Sequence, residues 1–232
     1  MYSVNWFGLG LGAIAGSVAN SLVYRLPRGL DWWGGRSVCP HCKRVLSAWD
    51  LIPLLSFVFL LGKCRYCHKS IGFRYFWVEL LLAFVGATQP LVILGLAFVS
   101  VVIAVMDWQT QLVSEWMLIV GVVLAAFLNF NLPGAAAGAV TIGLIWALSK
   151  GRAMGFGDVE IAAWLGLWLG IPKIFTTLWL SFVLGGAFGV VVLFFKIKKL
   201  KSRVAFGPFL ITGAWLAYYG SDTIIKWIGF RL

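Results

Sequence analysis

Charge is scarce in this sequence. Only 12% of its 232 residues are Asp, Glu, Lys or Arg, and just eight are acidic. Soluble domains carry about twice that charged fraction. With 61% hydrophobic residues and a mean hydropathy of +0.94, the composition excludes a water-soluble globule. It points to an all-α polytopic membrane protein. The net charge of +11 does not mark a nucleic-acid binder, because a basic helix and aromatic-basic interleaving are both lacking. No positive stretch precedes the first apolar run, and Arg25 and Arg28 follow it. That pattern fits a retained anchor of reversed orientation rather than a signal peptide. Internal repeats, low-complexity tracts and lipidation motifs are missing as well.

What the chain does have is a series of apolar runs between short polar breaks. About eight read as membrane spans: Val4–Tyr24, Tyr75–Thr88, Leu91–Met106, Glu115–Phe130, Ala135–Ser149, Val159–Gly170, Ile174–Phe195 and Phe206–Tyr219. Several fall short of the ~20 residues a perpendicular helix needs, so they extend into their flanks or reach only part-way. Sixteen of the nineteen Lys and Arg residues lie in the breaks after the first, fifth and seventh runs. The other side carries only Lys173, Lys226 and Arg231. The positive-inside rule then places the N-terminus outside and the basic loops in the cytoplasm. The expected organisation is a first transmembrane helix over 1–24, a cytoplasmic loop domain over 25–74 and a transmembrane domain over 75–232. Lys196–Lys201 reads as a basic segment facing lipid. Gly8, Gly10, Gly12 and Gly16 predict close helix packing. Trp32, Trp33, Trp49, Trp108, Trp116 and Trp227 fall near expected interfaces; Trp164, Trp168 and Trp179 read as packing residues.

All four cysteines fall in the 25–74 loop. They form Cys39-Pro40-His41-Cys42 and Cys64-Arg65-Tyr66-Cys67, with 21 residues between the pairs. Two C-x2-C turns at this spacing present four thiolates to one Zn2+. A reducing cytoplasm disfavours disulfides. Four thiolates leave no open position for substrate, so a structural zinc is expected. His41 and His68 each neighbour a ligand; they read as solvated loop residues, with replacement of one cysteine as the alternative. Redox catalysis would want a thioredoxin-like βαβ pattern, and none surrounds the pairs.

Two aspartates stand in apolar surroundings. Asp107 ends the third run, and Asp158 closes Gly155-Phe156-Gly157-Asp158 before the sixth. A charged side chain at membrane depth costs roughly 2.5–3.5 kcal/mol on insertion scales, so such residues usually mark function. The expected topology puts both on the cytoplasmic side at similar depth. Two carboxyls held close share one proton. The ionised member takes a proton from water and the protonated one polarises a carbonyl, which is aspartic-protease chemistry. Gly155 and Gly157 would let an extended peptide approach. The alternative is a polar loop with Asp158 as a helix N-cap. Glu115 and Glu160 are candidates for substrate contact or ordinary interfacial charges. Glu79 either pairs with a loop arginine or lines a second, cofactor-binding site.

An ordered set of motifs resembles the bacterial type IV prepilin peptidases, of the GxGD class of membrane aspartic proteases. It runs through Gly16-Ser17-Val18-Ala19-Asn20, Tyr24-Arg25-Leu26-Pro27 and Ser37-Val38-Cys39-Pro40-His41-Cys42. It continues through Asp50-Leu51-Ile52-Pro53-Leu54-Leu55-Ser56, Gly62-Lys63-Cys64-Arg65-Tyr66-Cys67 and Arg74-Tyr75. Val78-Glu79-Leu80-Leu81 and Phe206-Gly207-Pro208-Phe209 complete it. The resemblance implies that Asp107 and Asp158 are the catalytic pair. It implies a bacterial inner-membrane enzyme that cuts the leader of prepilins or pseudopilins on the cytoplasmic side, usually after glycine and before phenylalanine. Members with the cysteine loop typically also methylate the new N-terminus with S-adenosylmethionine. From the charge at the cytoplasmic face, the basic stretches Arg65–Arg74 and Lys150–Arg152 are expected to attract an acidic residue near the cut. Three features depart from the family pattern. Ser114-Glu115 stands for proline-aspartate, Glu160 for a lysine, and the two aspartates lie only 51 positions apart. Two rival readings remain: a non-enzymatic pilus or secretion assembly factor, and a proton-coupled transporter, which leaves the zinc loop unexplained.

Overall fold

A computed structural model describes residues 5–31, 34–195 and 204–228, without the side chains of 221–228. Trp32, Trp33, Lys196–Lys201 and Arg231 lie outside the described residues, as do the side chains of Lys226 and Trp227. The fold is all-helical: α1 (Trp6–Arg25), α2 (Leu55–Phe59), α3 (Phe73–Thr88), α4 (Leu91–Thr110), α5 (Glu115–Leu128), α6 (Leu132–Leu148), α7 (Phe156–Leu169), α8 (Lys173–Phe194) and α9 (Gly207–Ile228). Each of the eight apolar runs is thus a helix, and α2 is an addition within the cysteine loop. Among the described residues, extended pairing is limited to two isolated bridges, Val38–Val45 and Lys63–Ser70.

Among the described residues, three helical stretches are long and apolar enough to cross a membrane: Trp6–Arg28, Leu91–Thr110 and Lys173–Phe194. Glu115–Leu128 and Leu132–Leu148 are apolar but shorter. Phe127, Leu148 and Phe194 stand exposed on these helices, as large apolar side chains do where lipid rather than water covers them.

The chain forms two compact units, Met1–Val102 and Ile103–Leu232, with the division inside α4. In the first, α1 and α3 run antiparallel in close contact. Gly8 meets Gly86, Gly12 meets Leu82, and Gly16 meets Glu79. A Cβ on Gly12 would collide with the Leu82 carbonyl, a backbone atom that cannot turn aside. Gly10 faces open space, so it does not belong to the packing seam: the seam repeats every four residues and Gly10 falls on the other face. In the second unit, α6 packs on α7 through Gly134 against Gly166 and Gly138 against Ala162. Trp164 and Trp168 of α7 are buried, but Trp179 is 45% exposed and is not a core residue. The cause is that α8 buries only one stripe, including Ile174, Leu178 and Ser181, and Trp179 sits beside it.

Candidate functional site

Asp107 lies in the last turn of α4 and is buried. Gly207 opens α9 and donates its N–H to Asp107 Oδ2 at 3.0 Å. A helix N-terminus carries partial positive charge, so it suits a carboxylate. A Cβ on residue 207 would stand 2.6 Å from that same oxygen. Glycine is therefore what lets the helix start seat on the acid. Trp108 follows Asp107 and meets the rings of Phe188 and Phe209 at 5.5 and 6.5 Å, an aromatic wall beside it.

Asp158 is also buried, in the first turn of α7. The N-cap is Gly155, not Asp158. Asp158 instead reaches back from the third helical position and accepts the Gly155 N–H through Oδ2 at 3.0 Å. It thus satisfies a helix-end donor while its carboxylate stays inside the unit. The two glycines differ in role. A Cβ on Gly157 would meet Val113 Cγ2 at 2.6 Å, whereas Gly155 has only Asp158 Oδ2 nearby, at 3.7 Å. Gly157 closes the α4–α5 loop onto α7, and Gly155 supplies the donor.

Asp107 and Asp158 sit close enough for the Asp107 charge to act on Asp158. α7 thus places Asp158 within electrostatic range of the acid on α4. Glu160, half-buried on α7, likewise lies within electrostatic range of Glu115, the exposed first residue of α5. Gly207 is the site residue missed from sequence. Its Gly-Pro pair at the head of an apolar run marks a helix start. Nothing in the sequence says which acid, 100 positions earlier, that start would meet.

In the first unit, Cys39, Cys42, Cys64 and Cys67 converge, with all four sulfurs within 4.8 Å of one another. Cys39 Sγ and Cys67 Sγ are 3.9 Å apart, and the four cysteines are free thiols. Four sulfurs at about 2.3 Å from a tetrahedral zinc would stand about 3.8 Å apart, so the donor set fits. The two turns are built alike. Cys39 N–H donates to Arg44 O and Lys43 N–H to Cys39 O; Cys64 N–H donates to Lys69 O and His68 N–H to Cys64 O. Lys43 and His68 take matching positive φ values, 59° and 54°. His68 thus serves the turn through its backbone. At Cys67 the Lys69 backbone N–H lowers the thiol, but partial burial and the three neighbouring sulfurs outweigh it and push it up to about 11. Asp50 braces the second turn: its Oδ1 accepts from Arg65 Nε at 2.6 Å and its Oδ2 from the Ser47 N–H and hydroxyl.

Among the described residues Glu79 has no arginine partner; its Oε2 accepts the Leu54 N–H at 2.8 Å. Leu54, which donates to it, holds a positive φ of 62° at the start of α2. Glu79 lines a cavity of about 580 Å³ in the first unit, together with Asn20, Tyr24, Asp50, Arg65 and Tyr75.

Residues 11–92 match the model of the bacterial peptidase A24 N-terminal domain, and residues 94–190 match that of the type IV leader peptidase family. A prepilin leader peptidase/N-methyltransferase of Aeromonas salmonicida is 32% identical over 214 residues, covering 83% of this chain and 74% of that protein. Proteins of the same description from Pseudomonas putida and Bacillus subtilis are 31% and 30% identical, covering 92% and 93% of this chain and 90% and 94% of theirs. The chain belongs to the type IV prepilin peptidase family. No solved structure matches it. As a prepilin peptidase by family it is an enzyme, a hydrolase set in a membrane. The first family match holds the four cysteines and Glu79, and the second holds Asp107 and Asp158. Gly207 falls beyond both.

Proposed function

We propose that this chain cuts the leader from type IV prepilins or pseudopilins, at the cytoplasmic face of the inner membrane, with Asp107 and Asp158 as the catalytic pair. The observation that carries this reading is two buried carboxyls within electrostatic range of one another, each anchored through one oxygen by a glycine N–H. One carboxylate takes a proton from water as the water oxygen bonds to the scissile carbonyl carbon. The other, protonated, gives its proton to the carbonyl oxygen. Collapse breaks the C–N bond, and the leaving amine takes up a proton. Gly155, Gly157, Glu115 and Glu160 border the peptide's path. The test is co-expression with a cognate prepilin and mass measurement of its N-terminus. Asp107→Asn and Asp158→Asn should each abolish trimming. Trimming that survives both substitutions would leave the non-enzymatic assembly factor as the better reading.

A second activity, N-methylation of the new terminus, rests on the cavity lined by Glu79. S-adenosylmethionine supplies an electrophilic methyl group when bound. Asn20 fixes the cavity wall by donating its side-chain amide to Tyr75 O at 3.0 Å, and Glu79 offers a carboxylate to the incoming amine. The four thiolates would hold a structural zinc that shapes this unit. Glu79→Gln should leave trimming intact and remove a mass increment of about one methyl that depends on S-adenosylmethionine.

A further inference from the structure

The loop between α1 and α3 contains an apolar run of which the proposed activities use only the side that lines the Glu79 cavity, Leu51-Ile52-Pro53-Leu54-Leu55-Ser56-Phe57-Val58-Phe59-Leu60-Leu61. About 10–14 apolar residues are too few to span a bilayer but suit an interfacial or re-entrant segment. Here the run folds around α2. Leu54 and Leu61, at its two ends, hold positive φ values of 62° and 50°, an uncommon state for residues other than glycine. The segment is held in that shape. Glu79 accepts the Leu54 N–H, and the Phe57 ring packs on Phe73 and Phe76 at 5.6 and 5.3 Å.

One side of α2 is therefore occupied: Ser56, Phe57 and Leu60 line the cavity. The other side is bare. Leu55, Val58 and Phe59 share a face at i, i+3 and i+4, and all are exposed; Phe59 and Leu61 are exposed by 81% and 83%. Phe73, whose ring meets Phe57, and Trp77, one turn further along α3, are exposed too. What covers this surface follows from its tether. The loop leaves α1 at Arg25, at the end of a stretch long and apolar enough to cross a membrane, and returns along it through α3. The run thus lies near that membrane face. Lys63 and Lys69 stand exposed just beyond it, complementary to anionic headgroups.

We propose that α2 is a membrane-seated wedge, with Leu55, Val58, Phe59 and Leu61 inserted at the acyl–headgroup boundary of an anionic bilayer and Lys63 and Lys69 on lipid phosphates. The cavity wall and the lipid contact are then opposite faces of one short helix. The test uses the full chain in nanodiscs of phosphatidylethanolamine and phosphatidylglycerol. The photo-crosslinker p-benzoylphenylalanine replaces Phe59, Leu61 or, as control, Val45, an exposed apolar residue of the first cysteine turn. These positions project outward, so packed side chains stay in place. Lipid adducts at 59 and 61 should exceed those at 45 by about threefold or more, as a seated apolar face requires. Equal lipid labelling at all three positions, or adducts at 59 and 61 to protein instead of lipid, would overturn the wedge.

Discussion

At the scale of single residues, the site is set by backbone donors as much as by acids. Asp107 owes its place to Gly207, which supplies a hydrogen bond and the absence of a side chain at once. Gly207→Ala forces a methyl against a carboxylate oxygen and pushes the donor away. Losing a hydrogen bond to a charged group costs about 1.5–3 kcal/mol, so trimming of prepilin should slow by about 10- to 100-fold in kcat. Gly155→Ala meets no collision within the protein and keeps its N–H, so its kcat should fall far less than that of Gly207→Ala, any loss coming from the methyl beside the peptide's path. Equal losses in the two variants would show that flexibility, not the Asp107 contact, is what glycine provides. Asp107 and Asp158 could be picked from sequence because an acid in an apolar run is conspicuous. Gly207 could not, because its partner is fixed only when the start of α9 meets the last turn of α4. The setting of Glu79 was half legible: an acid within an apolar stretch stood out, but its partner is the backbone N–H of Leu54, which side-chain pairing rules do not foresee.

At the scale of elements, hydropathy located every long helix, since each apolar run is bounded by charged or turn-forming residues. It missed α2, which lies in a run too short to count as a span, and it placed Gly10 in a seam it does not join. The matched pair Gly12→Ala and Gly10→Ala tests that seam. The first pushes a methyl into the Leu82 carbonyl and should weaken α1–α3 association, read as a lower melting temperature in detergent. The second should leave that temperature unchanged or slightly raised, because alanine favours helix by about 1 kcal/mol over glycine. The twin cysteine turns were legible in spacing but not in their matching backbone bonds. Their chemistry predicts a pH dependence. With the Cys67 thiol at about 11 in the metal-free loop, it is protonated at neutral pH, and metal binding must displace that proton. Zinc affinity should therefore rise as pH increases from neutral toward about 11 and fall as pH drops, measured by competition with a chromophoric chelator. A flat profile would mean that the thiols do not take up the metal as thiolates.

At the scale of the whole molecule, the open quantity is the number of crossings. Among the described residues three helical stretches are both long and apolar enough to cross, while α5 and α7, of 14 residues each, rise only about 21 Å against a hydrocarbon core of about 30 Å. Alternation through all eight long helices would nevertheless put every basic break, after the first, fifth and seventh, on one side, as the positive-inside rule expects. The proposed catalysis depends on this, since it needs the C-terminal end of α4 and the N-terminal end of α7 on one side. Short helices can still cross where the bilayer thins or where flanking residues reach to the surface. Alkaline phosphatase, active only outside the cytoplasm, reports the outcome when fused after successive helices. Fusions at Gln89, Asn131 and Pro172 should be active, and fusions at Leu112, Ser149 and Val204 inactive. If α3 or α5 failed to cross, activity at Leu112 or Ser149 would invert, and Asp107 and Asp158 would no longer both face the compartment in which the leader is cut. The orientation of six loops therefore bears on the catalytic assignment as directly as substitution of either aspartate.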